Sequence, residues 1–222
     1  MGGFDILVLS AAGFLAGALN AVAGGGTIFT FSALLAIGVP PIIANATSAT
    51  AVVLGTIASV CAARSELVLI FRRTIPFCVV SAGGAGAGTA LLLMSGDRLF
   101  GHLVPWLIVL ATALFAAGPH ILRGSESSGL GLRQLAVPLQ GAVAVYGGYF
   151  GAGMGVMMLA TLGMSFRGGY HETNAAKNLL SIVIQSVRSW CSWRSAWSRP
   201  GWRLRSRQRA SSADGSGFSQ PD

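Results

Sequence analysis

Apolar residues fill most of the chain in long runs, which are interrupted by glycines, prolines and short charged stretches. Runs of about 20 apolar residues suit membrane-spanning helices, whereas barrel strands would be about 10 residues long and alternating. Lipid offers the backbone no hydrogen-bond partner, so a spanning segment must be a helix or part of a closed barrel. The pattern therefore predicts an all-α fold, a polytopic transmembrane helical bundle.

Three consecutive glycines, Gly24 to Gly26, interrupt the first apolar stretch. We expect a membrane span over residues 6–24 that ends at this break, because glycine weakens or unwinds a helix. Residues 27–38 are apolar but too short to cross a core of about 30 Å at about 1.5 Å per residue, so they predict a half-helix. The prolines at positions 40 and 41 end that piece.

Three further spans complete the predicted first half, at residues 44–63, 74–94 and 103–118. Between them, residues 64–73 are interpreted as a short interfacial turn, and Asp97, Arg98 and His102 as a polar loop. In the spans, glycines four residues apart (Gly13 with Gly17, Gly84 with Gly88) form a small-xxx-small pattern that lets another helix approach closely.

A stretch rich in glycine, serine and charge, residues 119–133, is the predicted linker between two halves. After it a span over 134–150 leads to a second glycine cluster, a short apolar piece at 156–166, and a further helix. The predicted domains are a first transmembrane half over 1–118, an incomplete second half over 134–187, and a disordered basic tail over 188–222.

The composition supports the membrane class: 53% of the 222 residues are hydrophobic, 10% are charged, and the mean hydropathy is +0.66. A soluble domain carries about a quarter charged residues. The net charge of +8 does not indicate nucleic-acid binding, because seven of the 15 basic residues follow Val187. Cys61, Cys78 and Cys191 show no paired spacing, so we expect buried thiols and no metal site.

The two glycine clusters belong to an internal repeat. Sliding the chain by 129 residues superposes the pairs Gly24 and Gly153, Gly26 and Gly155, Asn45 and Asn174, and Ala46 and Ala175. In both copies a glycine break precedes a short apolar piece, a turn, and an Asn-Ala at a helix start. Internal repeats with helices broken at corresponding positions point to a transporter binding site.

A broken helix leaves free N–H groups and a positive dipole end inside the membrane, and these can hold an anion. Five polar side chains near the two motifs add hydrogen-bonding groups: Asn45, Thr47, Ser48, Asn174 and Asn178. Lys177 is the only basic residue close to either motif, and a lysine within a membrane is a functional candidate by default. The alternatives are that Lys177 snorkels to an interface and that the glycines serve helix packing.

No catalytic cluster is visible, so we expect a protein that is not an enzyme and has no cofactor. The glycines lack the Gly-Lys-Ser/Thr ending of a nucleotide loop. The three histidines are scattered among loops and helix ends, and His171 with Glu172 forms at most a proton relay beside the second break.

The stretch GFLAGALNAVAGGGTIFTFSALLAIGVPPIIANATSAT resembles the signature of the TauE/SafE sulfite exporter family, and GGYFGAGMGVMMLATLGMSFRGGYHETNAAKNLL resembles its second-half counterpart. The resemblance implies a multi-pass inner-membrane transporter of small anions, among them sulfite and organosulfur compounds. Carried over by position, the substrate-binding candidates are Gly24, Gly25, Gly26, Asn45, Thr47, Ser48, Gly151, Gly153, Gly155, Asn174, Lys177 and Asn178.

The chain departs from this pattern after Val187, where the residues become rich in Arg, Trp and Ser. We expect a shifted reading frame, so that final helices are missing; the alternative is a basic tail attracted to anionic lipid. The function hypotheses are accordingly alternating-access transport of a small anion, or a non-transporting fragment with a lipid- or partner-binding tail. The expected partners are a small anion and the bilayer, not nucleic acid, while homo-oligomerisation and the orientation of the N-terminus stay open.

Overall fold

The computed structural model describes residues 3–22, 24–126, 135–166 and 169–198, and in these ranges each regular element is an α-helix. Its helical segments are α1 (Gly3–Val22), α2 (Thr27–Ala36), α3 (Pro41–Ala62), a long segment Arg64–Glu126, α6 (Ala136–Tyr149), α7 (Met154–Gly163) and α8 (Gly169–Ser198). The long segment bends at Gly96, so we number its first arm α4 (Arg64–Gly96) and its second arm α5, whose apolar stretch is Arg98–Ala117. The predicted all-α fold class is confirmed.

Among the residues that the structure describes, three helices are long and apolar enough to cross a membrane: α3, α4 and the apolar stretch of α5. Large apolar side chains also lie on the outer surface, where Leu69, Met94 and Trp106 are each about three quarters exposed or more. Exposed apolar side chains are unfavourable in water but not in contact with lipid tails, which are apolar themselves. The protein is a membrane protein by these criteria.

The helices that follow the two glycine breaks are short. Both α2 and α7 have ten residues, which corresponds to about 15 Å at about 1.5 Å per residue, half of a hydrocarbon core. The prediction of two short helices, each too short to span the membrane, is therefore confirmed. The helix α2 ends two residues and α7 three residues earlier than predicted. At the end of α2 the chain turns at Gly38, which has a φ of 84°.

Two connections that the sequence analysis predicted as non-helical are helical in the structure. Residues 64–73 are not a turn but the start of α4, separated from α3 by Ala63 alone. Ile70 in this stretch is 2% exposed and packs in the core, which explains why the helix continues. The predicted loop at residues 97–102 is likewise helical, because Gly96 takes the whole bend in one residue with φ 66° and ψ 174°.

Glycines allow close helix packing between α4 and α6. A Cβ at Gly84 would lie 2.7 Å from the carbonyl oxygen of Gly141, and Gly88 meets the backbone of Val145 in the same way. The small-xxx-small prediction holds for this pair of glycines. It does not hold for Gly13 and Gly17, where a Cβ would have no neighbour within 4 Å among the described residues.

The helix α8 runs past Val187 to Ser198. Residues 188–198, which the sequence analysis placed in the tail, thus continue a helix that packs against α3 and α4, while residues 199–222 lie outside the described residues. The predicted linker is helical up to Glu126, and its remainder lies in the range 127–134, which the structure does not describe. Cys61 is exposed rather than buried, whereas Cys78 and Cys191 are partly buried.

Candidate functional site

The two glycine breaks lie against each other in the folded chain. A Cβ built on Gly24 would be 2.6 Å from the Cα of Gly155, a distance that real side chains do not adopt. Gly24 and Gly153 have φ values of 75° and 77°, in the left-handed region that favours glycine. We call this contact between residues 24–26 and residues 151–155 the glycine junction. The structure thus joins the two copies of the repeat at their breaks.

The helix α5 closes one side of the glycine junction. Phe115 packs on Gly25, where a Cβ would be 2.5 Å from its ring, and Ala111 packs on Gly153, where a Cβ would be 3.3 Å from its carbonyl oxygen. Gly26 in turn meets the backbone of Ala16 in α1. These glycines therefore serve close packing, as the alternative interpretation held, and they also bring two helix ends together.

Both short helices begin at the junction without a side-chain cap. The N-cap of α2 is Gly26 and that of α7 is Gly153, and since glycine has no side chain, neither residue accepts a capping hydrogen bond from the helix. Helix N-termini carry a partial positive charge. Part of the first N–H groups is already used within the turn, since Phe29 N donates to Gly26 O and Val156 N to Gly153 O. Two such ends side by side produce a positive potential that suits an anion.

Lys177 lies at this junction and is 1% exposed. Its Nζ donates a hydrogen bond of 3.1 Å to the carbonyl oxygen of Asn20, in the last turn of α1. Its Cδ would be 3.4 Å from a Cβ on Gly24. The ammonium group therefore caps the broken end of α1, and its charge is placed inside the protein rather than at an interface.

The broken end of α6 is capped by two side chains from other helices. Asn45 of α3 donates from Nδ2 to the carbonyl oxygen of Tyr149 at 3.2 Å. Arg188 of α8 donates to the carbonyl oxygens of Phe150 at 3.3 Å and of Asn45 at 2.9 Å. Arg188 is 5% exposed, so a full guanidinium charge is also buried beside the second break.

These hydrogen bonds cross between the two halves. The offset of 129 residues that superposes the repeats places Asn20 on Tyr149. Lys177 of the second half caps Asn20 in the first half, and Asn45 of the first half caps Tyr149 in the second. We call this reciprocal pair the cross-capping contacts. They couple each break to the opposite half of the chain.

The other candidates lie at varying distance from the junction. Ser48 is buried and donates to the carbonyl oxygen of Asn45 at 3.1 Å, whereas Thr47 lies on the exposed side of α3. Asn174 and Asn178 lie on α8, as Lys177 does. Both asparagines line a polar pocket whose lining does not include Lys177. Gly151 lies next to Arg188, whose Nη1 would be 3.1 Å from a Cβ there.

Sequence reasoning missed Arg188, because the change in composition after Val187 assigned it to the tail. The signal that could have identified Arg188 was its distance of eleven positions from Lys177. Eleven residues make three helical turns and about 20°, so the two side chains share one face of α8, about 16 Å apart. In the part of the chain that the structure describes, there is no group of three or more His, Cys, Asp or Glu side chains that could hold a metal ion.

Comparison with known proteins adds evidence about the family of the chain. A family model described as "Sulfite exporter TauE/SafE" matches residues 9–200. A "Probable membrane transporter protein" from Haemophilus influenzae is 30% identical over 159 residues, which are 70% of this chain and 62% of the relative. The "Probable membrane transporter protein ORF9" from a Sinorhizobium species is 24% identical over 147 residues, 66% of this chain and 56% of the relative. The chain thus spans less than two thirds of either relative, and no solved structure matches it significantly.

Proposed function

The chain belongs to the sulfite exporter TauE/SafE family, and we propose that it moves a small anion of the sulfite or organosulfur type across the inner membrane. The mode is secondary transport by alternating access in a multi-pass protein, rather than catalysis. The curated relatives, both named as probable membrane transporters, support this direction.

The observation that carries the proposal is the glycine junction with Lys177 against it. Two helix N-termini converge there, and a lysine that is 1% exposed adds a full positive charge. Its ammonium group donates to a backbone carbonyl, a contact that does not neutralise the positive charge. A buried ammonium group without an anionic partner is costly, and a bound anion would offset that cost.

Alternating access requires an element that can rearrange at the binding site. The glycine junction and the cross-capping contacts are the places where the two halves meet through backbone atoms and side-chain caps. The short helices α2 and α7 begin there, so a shift of one half against the other would move both helix ends together. This arrangement supports the junction as the closed gate of the transport cycle.

The test is sulfite flux in liposomes reconstituted with the purified chain. Lys177→Met should lower the apparent affinity for sulfite about 10- to 100-fold, the equivalent of the roughly 1.5–3 kcal/mol that a charge-assisted hydrogen bond contributes. Lys177→Arg should retain part of the affinity, and Arg98→Gln, which removes an exposed charge, should behave as the unmodified protein.

Two results would refute this proposal. The first is flux no greater than that of protein-free liposomes. The second is a Lys177→Met variant that folds and transports as well as Arg98→Gln.

A further inference from the structure

A pocket of about 260 Å³ lies where the early turns of α4 and α6 meet the C-terminal end of α7. We call it the arginine pocket, and it is lined by Arg73, Phe77, Val137, Ser165 and Phe166. None of these residues belongs to the glycine junction or to the cross-capping contacts. Sites that enclose a drug-sized ligand measure about 300–1,000 Å³. The arginine pocket is smaller, so it fits one polar group with a short apolar extension.

Two aromatic rings form an apolar wall of the arginine pocket. Phe77 and Phe166 are 5% and 4% exposed, and their ring centroids are 5.9 Å apart. The chain that carries Ser165 and Phe166 is held in place, because the backbone N–H groups of both residues donate to the carbonyl oxygen of Leu162, at 2.8 and 2.9 Å. The wall is therefore a preformed apolar surface, and the lining adds one hydroxyl group, that of Ser165.

Arg73 supplies the charge of the arginine pocket. Among the described residues of the lining it is the one charged side chain, and that lining contains no carboxylate. Two further arginines are neighbours of lining residues in the sequence, since Arg72 precedes Arg73 and Arg167 follows Phe166. A guanidinium group can donate two parallel hydrogen bonds to a phosphate, and the hydroxyl of Ser165 can donate another. The pocket thus favours a phosphate that is attached to an apolar group.

The arginine pocket lies at the border between the polar and the apolar part of α4. Residues 74–94 contain no charged side chain, whereas four charged residues lie between positions 64 and 73. A long basic side chain beside such an apolar run reaches the head-group level of a bilayer. Phe77 lies four residues after Arg73, on the same face of the helix and about 6 Å further along it. A ligand in the pocket therefore has its charged end at the head-group level and its apolar end at the depth of the lipid tails.

We propose that the arginine pocket binds the head group of an anionic phospholipid from the leaflet at this end of the bundle. The guanidinium group of Arg73 and the hydroxyl of Ser165 donate to the phosphate oxygens, and the first carbons of the lipid tails lie against the apolar wall. Basic pockets between transmembrane helices are suited to such head groups. A free phosphate shares the charge but cannot use the apolar wall. This inference goes beyond transport and does not depend on which anion is carried.

The test is native mass spectrometry of the full chain, freed of lipid in detergent and then titrated with phosphatidylglycerol or phosphatidylcholine. Both lipids carry a phosphate, but the trimethylammonium group of phosphatidylcholine neutralises it. We expect the first phosphatidylglycerol to bind about 10-fold more tightly, because no carboxylate in the described lining balances Arg73. A large excess of inorganic phosphate should leave that lipid in place. Equal binding of the two lipids, or displacement by inorganic phosphate, would overturn the inference.

The neighbouring arginine provides a matched control. Arg73→Gln should weaken phosphatidylglycerol binding about 10- to 100-fold, because it removes charge-assisted hydrogen bonds. Arg72→Gln removes the same charge one position away and outside the lining, so it should weaken binding by at most about fivefold, the effect of one basic residue near an anionic surface. Both arginines are exposed, so neither replacement removes a buried contact of the fold.

A third variant tests the cavity rather than the charge. Val137→Phe fills the arginine pocket and retains both arginines, and it should also weaken phosphatidylglycerol binding about 10-fold, because the head group no longer fits beside the apolar wall. Circular dichroism checks that each variant is folded. Equal losses in Arg72→Gln and Arg73→Gln would indicate general surface attraction and reject the pocket. Unchanged lipid binding by a folded Val137→Phe would reject it as well.

Discussion

Replacing Gly155 by alanine would place a methyl group inside the glycine junction. The new Cβ would lie 2.6 Å from the carbonyl oxygen of Gly24 and closer still to its Cα. Extra carbon atoms in a packed interior cost about 1–3 kcal/mol, and we expect the upper end, because backbone atoms cannot rotate away. Alanine gains about 1 kcal/mol over glycine within a helix. The net expectation is a loss of about 2 kcal/mol of unfolding free energy.

Gly83 in α4 provides the matched control, since a Cβ there would meet nothing within 4 Å. Gly83→Ala should stabilise the chain by about 0.5–1 kcal/mol. The two variants should thus differ by about 3 kcal/mol, which is roughly a 100-fold difference in the unfolding equilibrium. The assay is loss of helical circular dichroism as a denaturing detergent is titrated into micelles of each variant. Gly155→Ala unfolding no more easily than Gly83→Ala would refute the close contact between the two breaks.

Three further predictions can be checked in the same titration. Arg188→Met should cost about 2 kcal/mol and Arg188→Lys less, because the first removes the side-chain donor to the Phe150 carbonyl and leaves the Asn45 carbonyl with Ser48 as its side-chain donor; equal losses would contradict the capping role. Gln140→Leu should cost about 2 kcal/mol, because Gln140 joins Ser81 and Thr161 through buried hydrogen bonds of 3.1 and 2.9 Å; an unchanged midpoint would count against that network. Gly96→Ala should cost about 1–3 kcal/mol, because φ 66° with ψ 174° is accessible essentially to glycine alone; no loss would mean that the bend lies elsewhere.

The breaks and the half-helices were predictable, because glycine and chain length act locally. Three consecutive glycines end a helix whatever surrounds them, and ten apolar residues cannot span a bilayer. The meeting of the two breaks was also within reach, since helices broken at corresponding positions of two repeats form a binding site at the interface between the repeats. These predictions needed no knowledge of individual contacts.

The continuous helix from Arg64 was not predictable from local pattern. Charged residues at Arg64, Glu66, Arg72 and Arg73 mimic a polar turn, whereas Ile70 and its neighbour Leu67 pack against the core and favour a helix. Arg188 shows the opposite failure. Its neighbours in the sequence are those of a basic tail, yet the carbonyls that bind it belong to α3 and the end of α6, distant in the chain. Tertiary partners of this kind are invisible to composition.

The cross-capping contacts have a consequence for biosynthesis. The carbonyl of Asn20 and the ammonium group of Lys177 are separated by 157 positions, which a ribosome working at about 5–20 residues per second covers in roughly 8–30 seconds. During that interval the end of α1 is in the membrane without its lysine cap. A factor that shields the nascent helix, or water held at the break, would have to satisfy that carbonyl until α8 is inserted. Slowing translation between the two halves should therefore lower the yield of folded protein more than slowing it after α8.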